Sequence, residues 1–133
     1  LHKKMYIGEQ TGDEIKQKIG TAIKMENPEV ITVSGRDVET GLPHTIEINS
    51  NEVESYIHDS LQEIIHATKT ILEITPPELA SDIVQRGLVC TGGGSLLHGL
   101  DELLKQELKI PVYIAENALH CVVDGCNIML NNL

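Results

Sequence analysis

Three consecutive glycines, Gly92 to Gly94, constrain the fold of this chain more than any other feature of its sequence. They follow a short apolar run at 88–91, which is typical of a buried strand, and precede leucines that recur at helical spacing. Pro111 then comes before a second apolar run at 112–115. Strand, helix and strand at these lengths predict a parallel pair, because parallel strands need a long crossover that is usually helical. We therefore expect an α/β unit with a glycine bend after its first strand.

The first half of the chain predicts a helix, a hairpin and a longer helix. Apolar spacing indicates a helix over 11–25, with Thr11 and Glu14 as its capping box. Alternation at 29–34 and 45–48 predicts two strands joined by a surface loop at 35–43. An apolar stripe at 52–73 predicts a long helix, and Thr75 is expected to cap a short helix that starts at Pro76. Apolar residues at 119–129 suggest a closing helix.

These elements suggest two parts of different character. Residues 1–52 are expected to form a small α+β lobe, and residues 53–133 are expected to carry the glycine bend. The boundary is soft and lies between Ser50 and Ile57. Because the chain starts at Leu1 rather than at Met, we expect a piece of a longer protein.

Composition limits the classes of partner. The 133 residues carry 20 acidic and 10 basic side chains, a formal net charge of −10, with no Phe, no Trp and 3 Tyr. Nucleic acid is disfavoured, because its binders use basic charge and aromatic stacking. The 3 cysteines form no C-x-x-C pair, which favours a reducing, cytoplasmic compartment. No apolar run is long enough for a membrane helix and no signal-peptide pattern is present, so a soluble protein is expected.

The glycine bend is the best candidate for a ligand site. Backbone N–H groups gather where a strand turns into a helix, and glycines let a ligand approach the main chain, so a nucleotide is expected there. Two common phosphate-binding patterns fail. The dinucleotide fingerprint meets Leu97 where its third glycine belongs, and the phosphate loop meets Leu100 and Asp101 where Lys and Ser or Thr belong. A tight turn without any ligand remains the alternative.

A wider match favours the ligand. The segment 87–100, GLVCTGGGSLLHGL, resembles the adenosine-binding motif of the actin, sugar kinase and heat-shock ATPase superfamily, and more narrowly that of the MreB family of bacterial actins. Further blocks are similar to this family in the same order: IGEQT at 7–11, SGRDVETGLP at 34–43, PPELASDI at 76–83, IPV at 110–112 and AENAL at 115–119. The chain departs from the family at Ala118, where proline is usual, and at 124–126.

The resemblance implies an actin-like nucleotidase fold of the ribonuclease H-like class, present as a C-terminal fragment. It would comprise a small α+β hairpin lobe and half of a sheet-and-helix lower lobe. ATP is the implied ligand, and Mg²⁺ would bind only with the missing N-terminal half. The implied nucleotide contacts are Glu9, Gln10, Thr11, Gly12, Gly92, Gly93, Gly94, Ser95 and Leu96. No catalytic or metal-ligating residue is expected here, so the fragment alone is expected to be inactive.

The family also implies a biological role. Its members are ATPases that polymerise in the bacterial cytoplasm, associate with the membrane and organise cell-wall synthesis in rod-shaped cells. The implied partners are further copies, joined head to tail, and the cell-wall elongation machinery, with no membrane contact through this fragment. The alternatives are a fragment of a sugar or acetate kinase, a fragment of a chaperone-type ATPase, and a structural domain that binds no ligand.

Overall fold

The computed structural model describes residues 4–132. In chain order the elements are β1 (Met5–Tyr6), α1 (Glu9–Ile19), β2 (Val30–Asp37), β3 (Pro43–Asn49), α2 (Ser50–Ile74), α3 (Pro77–Arg86), β4 (Leu88–Cys90), a 3₁₀ turn (Gly93–Leu96), α4 (Leu100–Leu108), β5 (Val112–Ile114) and α5 (Cys121–Asn131). The chain divides into two compact units, residues 1–61 and residues 62–133. The division falls inside α2, whereas the lobes expected from the sequence divide at 52/53.

The first unit contains an antiparallel sheet in the order β1-β2-β3. Ile31 lies opposite Ile48, so the apolar residues of the two long strands share one face. On that face Val33 and Ile48 are buried together with Val53 and with Ile15 and Ile19 of α1. The predicted hairpin is thus confirmed, and its alternation arises because one face packs against α1. The two-residue strand β1 had no recognisable signal in the sequence.

The hairpin connection is shorter than the predicted loop at 35–43. β2 continues to Asp37 and β3 begins at Pro43, which leaves only residues 38–42 as the turn. The Asp37 carboxylate accepts hydrogen bonds from the backbone of Glu39 and Thr40 and from the Thr40 hydroxyl. These bonds lower the pKa of Asp37, because they favour its charged form. The turn therefore satisfies its own polar groups.

Two of the predicted helix starts are wrong. α1 begins at Glu9 with Gly8 as its N-cap and ends at Ile19, so Thr11 lies inside the first turn and caps nothing. Pro76 rather than Thr75 is the N-cap of α3, and the Thr75 hydroxyl donates to the carbonyl of Ile71 in the last turn of α2. Both predictions assumed a hydroxyl cap where backbone geometry alone starts the helix.

The second unit contains the predicted parallel pair. β4 pairs with β5 so that Leu88 lies beside Val112 and Cys90 beside Ile114. α4 packs against β5, and Leu100, Leu104 and Val112 are buried. The Lys69 ammonium lies 2.9 Å from the Glu107 carboxylate and lowers the pKa of that carboxyl. Among the helices of the described chain, none combines the length and hydropathy that crossing a bilayer requires.

Candidate functional site

The glycine bend lies directly after the carboxyl end of β4. The carboxyl ends of parallel strands meet at one edge of a sheet, and ligands of open α/β sheets bind outside that edge. The segment after β4 and the segment after β5 therefore meet, and the amide N–H of Gly92 donates to the carbonyl of Ala118 at 2.7 Å. This edge is the candidate site.

Gly92 is held on both sides. Its φ of 86° and ψ of 165° lie in a region that only glycine adopts readily. Its amide donates to Ala118, as described above. Its carbonyl accepts hydrogen bonds from the Ser95 hydroxyl at 2.6 Å and from the Ser95 amide at 3.1 Å. Ser95 is only 6% exposed, and the one proton of its hydroxyl is donated to the bend.

The two glycines that follow differ in the space beside them. A Cβ added to Gly94 would meet nothing within 4 Å, and one added to Gly93 would meet only the Cδ2 of Leu119 at 3.2 Å. Among residues 4–132, no acceptor is paired with the amide N–H groups of Gly93 and Gly94. The bend thus presents two unpaired donors, with open space beside Gly94 and the exposed side chain of Leu96 next to it.

The helix expected directly after the glycines is absent at that point. A single 3₁₀ turn, Gly93–Leu96, follows the bend, and α4 begins only at Leu100 after a left-handed Gly99. The hydrogen-bond donors at the bend are therefore the N–H groups of individual peptides. The N-terminus of α4, with its helix dipole, is not located at the bend.

The turn from Asn117 to His120 is the part of this site that the sequence analysis missed. The amide of His120 donates to the carbonyl of Asn117 at 2.9 Å and closes the turn beside the glycine bend. A signal did exist in the sequence. The predicted parallel pair already required the segments after 90 and after 114 to share one edge.

The other four predicted contacts lie in the first unit. Glu9 and Gln10 are exposed in the first turn of α1, where an acidic side chain is favoured by the helix dipole. The amide of Gly12 donates to the carbonyl of Gly8 at 3.0 Å, and a Cβ on Gly12 would meet nothing within 4 Å. Thr11 lines a groove of about 260 Å³ between α1 and residues 31–34 of β2.

Residues 4–132 do not bring reactive side chains together as a metal site or an activated nucleophile. Residues 4–132 hold no set of three or more His, Cys, Asp or Glu side chains placed for a metal ion. His58 pairs with the buried Glu54 at 3.1 Å, one turn away on α2. Burial, and to a smaller extent the charge of Asp101, raises the pKa of Cys90, which disfavours its nucleophilic thiolate.

Comparison with solved structures identifies the class of fold. MreB5 of Spiroplasma citri bound to AMPPNP superposes with a TM-score of 0.91 at 32% identity, covering 97% of this chain and 39% of that chain. The same protein bound to ADP gives a TM-score of 0.91 at 33% identity. The MamK double helical filament gives a TM-score of 0.68 at 20% identity, a likeness of fold alone. The chain is a fragment of an actin-like fold.

Comparison of sequences identifies the family. The model of the MreB/Mbl protein family matches residues 2–133, and the chain belongs to that family. It is 49% identical over 130 residues to the cell shape-determining protein Mbl of Bacillus subtilis, covering 98% of this chain and 39% of the relative. It is 46% identical over 119 residues to the cell shape-determining protein MreB of Escherichia coli K12, covering 90% and 34%. The chain thus spans well under half the length of these relatives.

Proposed function

We propose that this chain is the part of an actin-like, cell shape-determining protein that contacts the adenosine of a bound adenine nucleotide. The observation that carries the proposal is the open face of the glycine bend. Gly94 has no structural reason within the described chain to lack a side chain, since its Cβ position is empty and its φ is not positive. A ligand against the main chain supplies that reason. The likeness to MreB5, which was solved with AMPPNP and with ADP, supports the same ligand class.

The chemistry follows from the groups that are present. The amide N–H groups of Gly93 and Gly94 are donors for acceptor atoms of the nucleoside, and the exposed side chain of Leu96 offers an apolar surface beside them. In the whole protein we assign Glu9–Gly12 to the same nucleotide. The Glu9 carboxylate can accept hydrogen bonds from both ribose hydroxyls. Mg²⁺ binding and ATP hydrolysis are assigned to the portion of the relatives that this chain does not cover.

The hairpin turn supports a second part of the proposal, self-association. Val38 and Leu42 are 44% and 65% exposed on a turn that Asp37 fixes, so their apolar side chains are held out towards solvent. A contact of this turn with a different surface of the next copy is heterologous, and repetition of such a contact builds an open filament. In this proposal the filament lies in the cytoplasm at the membrane and works with the cell-wall elongation machinery.

A chimaera tests the proposed function. In it this chain replaces the matching segment of Bacillus subtilis Mbl, in cells that lack their own Mbl. We expect the chimaera to restore cell shape and, when purified, to bind ADP and AMPPNP in equilibrium titrations. A control chimaera with Leu42→Asp places a charge on the hairpin turn and is expected to bind nucleotide normally while failing to restore shape. A folded parent chimaera that binds neither nucleotide contradicts the proposal.

A further inference from the structure

Two elements hold the glycine bend without belonging to it. The first is the turn from Asn117 to His120, whose Ala118 carbonyl accepts the Gly92 amide. Ala118 is 4% exposed, so this bond is shielded from water. The Cδ2 of Leu119 lies 3.2 Å from the place of a Cβ on Gly93, so this side chain lies against the bend at Gly93. The turn therefore limits how far Gly92 and Gly93 can move.

The second element is the side chain of Ser95. Its hydroxyl donates to the Gly92 carbonyl at 2.6 Å, and its side chain is buried. The peptide groups on both sides of Gly92 are thus fixed, one by Ala118 and one by Ser95. Glycine loses more conformational freedom on ordering than any other residue, so a bend of three glycines needs such restraints to keep one shape.

The turn is itself anchored to the start of α5. The amide of Asp124 donates to the His120 carbonyl at 2.8 Å, and the Asn117 side-chain amide donates to the Asp124 carboxylate at 3.3 Å. The Cys121 thiol donates to the Asn117 carbonyl at 3.2 Å. The position of the bend is therefore set by a chain of contacts that runs from α5 through the turn to Gly92.

We propose that Ser95 and the Asn117–His120 turn are positioning elements of the adenosine site. They fix Gly92, and this aims the amide N–H groups of Gly93 and Gly94 at the ligand. The inference rests on the proposed function. It changes the expected role of Ser95, which was predicted to contact the adenosine and here acts through the hydrogen bond of its hydroxyl to the bend. Pre-organisation of this kind raises affinity because the ordering cost is met before the ligand arrives.

Two measurements on the Mbl chimaera that carries this chain test the proposal together. One is the hydrogen exchange rate of the Gly92 amide, measured by NMR without ligand, and the other is the Kd for ADP. Ser95→Ala is expected to raise both by roughly fivefold, the loss of one buried hydrogen bond. Ser95→Thr retains the hydroxyl and is expected to bring both back towards the wild-type values. Ser81→Ala, on the exposed face of α3, is the matched control and is expected to change neither.

The outcomes separate this inference from the proposed function. If the folded Mbl chimaera that carries this chain binds no ADP at millimolar concentration, the proposed adenosine contact is wrong. If it binds ADP and Ser95→Ala weakens binding without faster exchange at Gly92, Ser95 touches the ligand and the positioning role is overturned. Faster exchange with unchanged affinity also overturns it. Should Ser95→Ala fail to fold, Leu119→Ala makes the same test, because that side chain is 63% exposed and its loss leaves the fold intact.

Discussion

The two ends of β4 use glycine for opposite reasons. Gly87, before the strand, has a φ of 83°, and a Cβ there would lie 2.6 Å from the Pro111 carbonyl oxygen and 2.9 Å from the Tyr113 ring. Gly94, after the strand, has room for a Cβ on every side. The first glycine is required by the packing of the protein itself. The second is required by nothing in the described chain. What sets it apart from other unobstructed glycines is its place at the carboxyl edge of the parallel strands, where ligands of α/β sheets bind.

Gly92 lies between these two cases. Its φ of 86° demands glycine, yet a Cβ would meet nothing within 4 Å. The three positions thus form a series. Gly87 combines backbone strain with steric overlap, Gly92 has strain alone, and Gly94 has neither. The series predicts a graded set of stability changes that the adenosine proposal does not influence, and each step can be measured by itself.

The largest effect is expected at Gly87. Gly87→Ala combines a backbone conformation that alanine adopts poorly with overlap against Pro111, and should lower the free energy of unfolding by about 3 kcal/mol. Urea denaturation followed by circular dichroism measures it. The fraction that remains folded should bind ADP as the wild-type chain does. A stability change below about 1 kcal/mol would contradict the claim that the packing of the protein requires glycine at position 87.

A smaller loss is expected at Gly92. Gly92→Ala carries the backbone strain without the overlap, and should cost about 2 kcal/mol. Unlike Gly87→Ala, it should also weaken ADP binding, because the peptide that Ala118 and Ser95 hold would move. Parallel urea and ADP titrations of the two variants give the contrast. Equal ADP affinity in both variants would show that the bend and the start of β4 do not differ in function.

A gain is expected at Ala118. Residues 117–120 form a turn closed by the His120 amide, with no positive φ, and Ala118 stands at the second position, where a φ near −65° suits proline. The Ala118 amide has no acceptor in the described part of the chain. Ala118→Pro should therefore raise the free energy of unfolding by about 0.5 kcal/mol, through the unfolded state. Thermal unfolding measures the change, and a loss of stability would contradict the assigned turn.

A difference in reactivity rather than in stability is expected at Cys90, within β4 itself. Burial raises the pKa of its thiol, whereas Cys126 is exposed on α5. At pH 8 iodoacetamide should alkylate Cys90 about tenfold more slowly than the exposed Cys126, because the raised pKa of Cys90 leaves less of its reactive thiolate. Peptide mass spectrometry resolves the two sites. Similar rates would mean that the strand between the two glycine positions is not protected.

The strand–helix–strand unit was predictable because apolar runs, glycines and a proline mark its parts locally. The hairpin was predictable because Ile31, Val33, Ile46 and Ile48 alternate against one packed helix. The starts of α1 and α3 were not predictable. Thr11 and Thr75 have side chains that often cap helices, but Gly8 and Pro76 are the N-caps in the structure. The contact of Ala118 with Gly92 was missed, although the predicted parallel pair places the segments after both strands at one edge. It joins residues far apart in the chain, and only the pairing of β4 with β5 brings them together.

Gly94→Ala tests the central claim most directly. The Mbl chimaera carrying it is compared with the same chimaera carrying Gly125→Ala, a control in α5 whose added Cβ also meets nothing within 4 Å. Urea denaturation gives the stability of each variant and an ADP titration gives its Kd. The account predicts that both variants are at least as stable as the wild type, and that only Gly94→Ala loses ADP affinity, by tenfold or more, about 1.4 kcal/mol. Unchanged ADP affinity in Gly94→Ala would contradict the claim that this face of the bend receives the nucleotide.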